Sequence, residues 1–463
     1  MFEMSSTDLK LRPAASLGSA SSKIYIDLSD IVAHSLWHTS CAGIPRVQLE
    51  VAAMLTRSSI DVLPFSLYGG IWRNLRPLIE EADDNWDLIF HRLRSKFPYV
   101  GVYPSWRRPI QTLLLAKARL AILVERIFSR TPKMTAQSTL FVGGAFWTSS
   151  QAMDLCARAV EAGANIVVLV HDLIPITHPE FTGHDFANEF RQILGLPAHF
   201  IATTEYNAES LRQVRAELGV RGETQVSVVH LAHEFSGTER NAPAAQPPTE
   251  RVRPLGALDF ALCVGTVEIR KNHMMLFSVW DELVAEYGDN LPLLVVAGSR
   301  GWKADAALNR LDELFESGRI VFIEAPNDEE LRWLYAACSF TVFPSQFEGW
   351  GLPVGESLWF GKPCAASDTS SIPYVGGDLC AYFSPFHATT MKDAIRSLLE
   401  PNIRDIYRER IAHAPLRTWA DVVTEIGSVI VQQRSESRQV SDGSARCNRG
   451  PLQFRGPSAT MNR

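Results

Sequence analysis

The 463-residue sequence lacks the marks of several protein classes. It has no Cys-x-x-Cys pair, and its seven cysteines (41, 156, 263, 338, 364, 380 and 447) are scattered and odd in number. That gives no disulfide framework or zinc site and points to reduced, buried thiols in a cytoplasmic protein. No apolar run approaches the roughly 20 residues needed to span a bilayer. The first 22 residues are polar and Ser/Ala-rich, with no apolar core for a signal peptide. No Gly-x-Gly-x-x-Gly follows an apolar run, so the fingerprint of a dinucleotide-dependent oxidoreductase is missing. Basic residues number 45 against 51 acidic ones, a formal charge of −6, which gives no general attraction to nucleic acid.

What remains is a soluble globular composition, 46% hydrophobic and 21% charged, on a chain long enough for two domains. Short, nearly continuous apolar runs recur at 23–30, 59–67, 139–145, 165–173, 199–205 and 226–231, and again at 261–266, 293–299, 319–324, 340–345, 363–367 and 380–385. Continuous apolarity means burial on both faces, as in a parallel sheet covered by helices. Strand–helix alternation in both halves predicts two doubly wound α/β domains, with a ligand at the carboxyl ends of the strands, in the cleft between them.

The domain reading is a flexible lead at 1–22, a first domain at 23–235, a Pro- and charge-rich linker at 236–256 and a second domain at 257–410. A helix at 411–433 and a disordered tail at 434–463 follow. The insert 107–133 carries seven basic residues and one acid, Glu125, around an aliphatic stripe. Its first reading is a core helix with solvated ends, and its second a helix lying on an anionic membrane surface.

The most informative stretch is 347–363, FEGWGLPVGESLWFGKP. It leaves the apolar run 340–345 as a loop, bends at Gly349 and Gly351, and turns helical around Pro353, which suits a first helical turn. Glu348 then lies in the loop and Glu356 in the first turn of the helix. A helix start with small residues before it offers free N–H groups and a positive dipole end to a phosphate, the plainer reading being a helix cap with an acidic first turn. Carboxylates beside a phosphate are repelled by it, so each must meet a neutral, hydroxyl-rich part of the ligand. A nucleotide-diphosphate sugar, with a sugar on one side of the diphosphate and a ribose on the other, meets that demand.

Residues 348–356 resemble the Glu-x7-Glu motif of retaining glycosyltransferases of family 4, which have the GT-B fold. The segments 264–273 (VGTVEIRKNH), 370–385, 170–181 (VHDLIPITHPEF), 43–52 (GIPRVQLEVA) and 417–426 (RTWADVVTEI) are similar to further stretches of that family. Together they span roughly 23–430. The resemblance implies two Rossmann-like domains facing a central cleft, with the last helix crossing back to the first domain.

By position, the resemblance implies that Glu348 binds the donor sugar near the reacting carbon and Glu356 the ribose. Gly349, Trp350, Gly351 and Leu352 then offer backbone amides to sugar and phosphate oxygens. Arg270 and Lys271 neutralise the leaving diphosphate, with Thr266 beside them where many members carry an arginine. His171 stabilises positive charge at the anomeric carbon. Asp172 orients His171 or meets the acceptor, and Gly43 and Arg46 belong to a loop closing over the diphosphate or the acceptor, with a surface position the other reading of Arg46.

The chain contains no Asp-x-Asp, the metal-holding motif of the other large glycosyltransferase fold, so no metal site and no cofactor are expected. His230 and His233 form a His-x-x-His without a third ligand. The expected reaction is retaining transfer of a hexose, mannose from GDP-mannose as first guess. The expected acceptor is a glycan or polyprenyl-linked glycan in bacterial surface polysaccharide or lipopolysaccharide synthesis, at the cytoplasmic face of the inner membrane. The alternatives are another GT-B sugar-nucleotide enzyme such as an epimerase, and a non-catalytic nucleotide-sugar binder.

Overall fold

The computed structural model describes residues 23–35, 41, 43–67, 71–82, 85–96, 133–148, 150–182, 185–220 and 225–443. The insert 107–133, except its last residue, and the lead 1–22 lie outside the described residues, as does the tail beyond Gly443. Among the described residues no helix is long and apolar enough to cross a membrane.

Two sheets carry the chain. The first contains β1 (Ile24–Asp27), β2 (Val62–Ser66), β3 (Arg73–Asn74), β4 (Thr139–Val142), β5 (Asn165–Val170), β6 (His199–Ala202) and β7 (Val226–Val228), in the order β3-β2-β1-β4-β5-β6-β7. The second contains β8 (Phe260–Val264), β9 (Leu293–Gly298), β10 (Ile320–Glu324), β11 (Phe340–Phe343), β12 (Cys364–Ser367) and β13 (Cys380–Phe383), in the order β10-β9-β8-β11-β12-β13. All pairings are parallel except β2 with β3. Each of the twelve apolar runs holds one parallel strand. The two-residue edge strand β3 has no counterpart in the sequence reading, because two residues are too few to show a period.

The inner strands are covered on both faces, and β1, β4, β11 and β12 are buried along their whole length, whereas the edge strands β3 and β7 are not. In each sheet the order reverses beside the first strand, between β1 and β4 and between β8 and β11. Adjacent connections leave such a point in opposite directions and open a crevice at the carboxyl ends. The residues after β8 and β11 therefore share one crevice, and those after β1, β4 and β5 face it from the other domain.

The segment joining the domains is packed. Val252 and Leu255 are buried with Phe235, Phe260 and Trp333 against the second domain. The last helix, Trp419–Gly443, returns to the first domain. Trp419, Val422, Ile426 and Ile430 join a core with Leu49, Ala53 and Leu55. The helix runs on to Gly443, past the end at 433 read from the sequence. The sequence after 433 is polar and carries no periodic apolar pattern to announce a helix.

Candidate active site

The loop after β11 carries Glu348 into the crevice. Gly351 caps the helix Leu352–Trp359 with φ 107, a left-handed conformation that favours glycine, and no side chain caps that end. Val354 donates its amide to the Gly351 carbonyl at 2.9 Å and Pro353 has none, so the Leu352 amide is the one at this start left for a ligand. Glu356 lies at the fifth helical position, in the second turn and not the first as the sequence reading had it, because the helix starts at Leu352. Its side chain turns inward and is buried.

Glu348 is the hub of a charged cluster. Lys271 Nζ lies 2.6 Å from Oε1, Arg270 2.8 Å from Oε2, and Ser345 Oγ donates to Oε1 at 2.5 Å. Arg270 also pairs with Glu268 at 2.7 Å and donates to the Phe347 carbonyl at 2.7 Å. Burial alone would raise the Glu348 pKa, but Arg270 and Lys271 outweigh it and hold the carboxyl at about 2. Burial disfavours the Arg270 charge, and Glu348 and Glu268 more than restore it. Lys271 extends across Gly265 and over the Phe343 ring at 5.0 Å. The Thr266 methyl lies under the loop after β9, where a Cβ on Gly301 would meet it at 2.7 Å.

Glu356 accepts from the Tyr335 hydroxyl at 2.7 Å and lies 3.7 Å from the Arg46 guanidinium. Burial raises its pKa despite Arg46 and Tyr335. Arg46 comes from the first domain, at the start of the helix Ile44–Arg57, whose N-cap is Gly43. It is buried, pairs with Asp328 and lies 4.8 Å over the Phe235 ring. Gly43 itself is exposed. Arg46 therefore ties the first domain to the second.

His171 directly follows β5, is buried, and donates from Nε2 to the Gly143 carbonyl at 2.8 Å. Burial holds its pKa down at about 4, so the imidazole is neutral near pH 7. Asp172 accepts from the Ile174 amide at 3.0 Å. Burial pushes its pKa up to about 6, and Arg270 opposes that rise. The Gly349 backbone lies against His171, so that a Cβ on Gly349 would sit 2.3 Å from the His171 carbonyl oxygen. The Trp350 ring packs beside His230 and His233. Those two histidines diverge, His230 to Glu205 and His233 to the Val375 carbonyl.

The His171 shift sets a pH expectation. Its folded pKa lies below the ordinary 6.5. The stabilisation is therefore complete above 6.5 and is lost as the pH falls toward about 4. His171→Gln should lose stability less steeply than wild type in denaturation series between pH 7 and pH 4. Equal slopes would mean that the imidazole is not neutral in the folded protein.

Sequence reasoning singled out Glu348, Glu356, Arg270, Lys271 and His171, and the structure brings all five to the junction of the two domains. It missed Tyr335, Asp328, Ser345 and Asn207. Of these only Asp328 left a trace, in the capping box of Asn327 and Glu330 that begins its helix. A second acidic pair, Asp27 and Asp30 at the end of β1, lines a cavity of about 10 Å³ with Gln48 and Gly144.

Residues 254–414 match the family model described as "Glycosyl transferases group 1". The chain is 32% identical over 186 residues to O-antigen chain mannosyltransferase B of Escherichia coli, covering 40% of this chain and 49% of that protein. It is 27% identical over 238 residues to serotype-specific mannosyltransferase WbdA of Escherichia coli, covering 50% of this chain and 29% of that one. These matches span half or less of the relatives' own length. Among solved structures, the sucrose-phosphate synthase of Thermosynechococcus elongatus superposes with TM-score 0.57 at 16% identity, over 89% of this chain and 99% of that one. Anabaena Alr3699/HepE with UDP and glucose gives 0.55 at 13% identity, over 89% and 100%. The fold is GT-B.

Proposed function

We propose that this protein is a retaining glycosyltransferase that moves a hexose, mannose from GDP-mannose first, to a glycan or lipid-linked glycan acceptor in bacterial surface polysaccharide synthesis. The observation that carries the reading is the Glu348 cluster: two half-buried cations, Arg270 and Lys271, converge on one carboxylate at the switch point of the second sheet, in the loop that leads into the helix Leu352–Trp359. The family match of residues 254–414 and the two mannosyltransferase relatives support the activity and the choice of sugar.

The chemistry follows from charge. In the cleft as it stands, Glu348 neutralises Arg270 and Lys271. An incoming diphosphate competes for those cations and frees the carboxylate to accept from sugar hydroxyls. Cleavage of the anomeric bond then builds negative charge on the diphosphate. Arg270, Lys271 and the helix start stabilise that charge in a site shielded from water. Neutral His171 presents no positive charge to the oxocarbenium-like sugar, so it does not oppose the transition state. Glu356 takes the ribose hydroxyls, which requires the Arg46 contact to give way. Transfer should persist in EDTA.

Thermal shift with a panel of nucleotide sugars tests the reading. A ligand at about 100 times its Kd stabilises by about 2.7 kcal/mol. GDP-mannose is expected to raise Tm most, with UDP-sugars behind it. No shift with any nucleotide sugar would overturn the reading.

A further inference from the structure

The donor loop meets the first domain through a hydrogen-bond network that the reaction outlined above does not use. Two backbone carbonyls from opposite domains, His171 and Gly349, approach one another where the Gly349 backbone presses on His171. Both oxygens carry partial negative charge, and both are buried beside residues that are almost fully covered. Without a donor between them they would repel.

Two side chains reach both oxygens. Thr203 Oγ1 lies 2.7 Å from the Gly349 oxygen and 3.1 Å from that of His171. Asn207 Nδ2 lies 2.7 Å from the first and 3.2 Å from the second. A hydroxyl has one hydrogen and serves one carbonyl well at a time, whereas an amide NH2 has two and can serve both. The opposite amide orientation would aim the Asn207 oxygen at two carbonyl oxygens, so this orientation is dictated by the contacts. Asn207 Nδ2 also stands 2.8 Å from Thr203 Oγ1 and 3.2 Å from Ser371 Oγ.

The local sequence explains the placement. Thr204 caps the helix Glu205–Glu217 by accepting from the Asn207 amide, which fixes Asn207 in the first turn. Thr204 also bonds Ser371 of the second domain at 2.9 Å. The neighbouring Ser370 accepts from the Glu348 amide at 2.9 Å. Asn207 is 1% exposed, and Thr203, Thr204 and Ser371 are fully buried. This is a built interdomain seam with the donor loop on one side and the histidine on the other.

We propose that Asn207 is a positioning residue whose side-chain amide joins the carbonyl of His171 to the carbonyl of Gly349 and so sets the closed spacing between the first domain and the donor loop. Its effect on turnover rests on the glycosyl-transfer reading, while its effect on domain closure does not. Because the diphosphate seat lies in the second domain, opening the seam should leave nucleotide affinity in place and lower turnover.

Asn207→Asp tests this, since it keeps the size and replaces the donating NH2 by an acceptor facing two acceptors. Small-angle scattering should show a larger radius of gyration, and amides 347–351 should exchange faster. Turnover of GDP-mannose should fall about 100-fold, as misplacement by an ångström does, with GDP affinity unchanged. Asn207→Ser, which keeps one hydrogen, should recover part of the rate. Should the aspartate variant not fold, Gly349→Ala opens the same seam from the other side and carries the scattering and exchange test.

A lower melting point with wild-type scattering, exchange and kcat would show a merely structural asparagine and overturn the proposal. If wild-type protein binds neither GDP nor UDP, the donor reading fails. Scattering and exchange then judge the seam alone: opening in the variants supports it, and unchanged values overturn it.

Discussion

Glu348→Gln should lower the rate of sugar transfer by about 10²–10³-fold, the loss typical for removing one preorganised group that acts on developing charge. Affinity for a nucleotide diphosphate should rise at the same time. Both expectations come from one geometry. Glutamine keeps the shape of Glu348 but carries no charge, so Arg270 and Lys271 lose the carboxylate that holds them at 2.8 and 2.6 Å. Their charge is then available to the diphosphate without competition. The sugar, in contrast, loses an ionised acceptor whose hydrogen bonds are about twice as strong as neutral ones. Calorimetry with GDP and initial rates with GDP-mannose separate the two effects. Full activity would remove Glu348 from the site. Loss of binding together with activity would make it a structural carboxylate only.

Arg46→Met should cost about 3–5 kcal/mol of stability at pH 8, the usual result of removing one partner of a buried ion pair. Methionine fills much of the same volume, so the loss reflects charge more than a cavity. Asp328 loses its partner across the domain boundary, and Glu356 loses the guanidinium at 3.7 Å. The effect should depend on pH in a defined direction. Burial raises the folded pKa of Glu356, so its protonated form favours the fold at low pH and that advantage is lost as the pH rises through the folded value. Without Arg46 that pKa rises further, and the penalty should therefore be smaller at pH 5 than at pH 8. Denaturant midpoints at the two values check this. Adding Glu356→Gln should recover part of the loss. Equal penalties at both pH values would mean that Arg46 acts through packing on Phe235 instead.

Much of this architecture is visible in the residues. Runs such as 165–173 and 293–299 are apolar without alternation, and only a strand buried on both faces explains that. The helix start at Gly351 shows in the order Gly, Leu, Pro, and its stop in Gly361, which takes φ 69. Glu348, Arg270 and Lys271 are legible because each stands just past an apolar run, where parallel strands end. The two-residue β3 and the helical turns beyond 433 are not legible, because neither carries a periodic apolar face.

The turn on which Glu356 sits illustrates a finer limit. Proline is acceptable at either of the first two helical positions, so Pro353 by itself does not say where the helix begins. Gly351 takes the left-handed cap, Leu352 becomes the first helical residue, and Glu356 moves to the second turn, facing Tyr335.

Arg46 and Asn207 mark the larger divide. In the sequence, one is a basic residue in the first turn of an amphipathic helix and the other a polar residue three positions after a threonine cap. Both patterns belong to ordinary solvated helix starts. The apolar runs and their alternation with helical stretches are enough to announce the strands, a parallel arrangement and a crevice at the carboxyl ends. Partners 282 positions away, as Asp328 is from Arg46, exist only once two domains close on each other. That closure buries Arg46 between Asp328 and Glu356 and places the Asn207 amide between two carbonyls. Burial turns two commonplace side chains into groups whose loss is costly, since a buried charge or donor without its partner has no water to replace it.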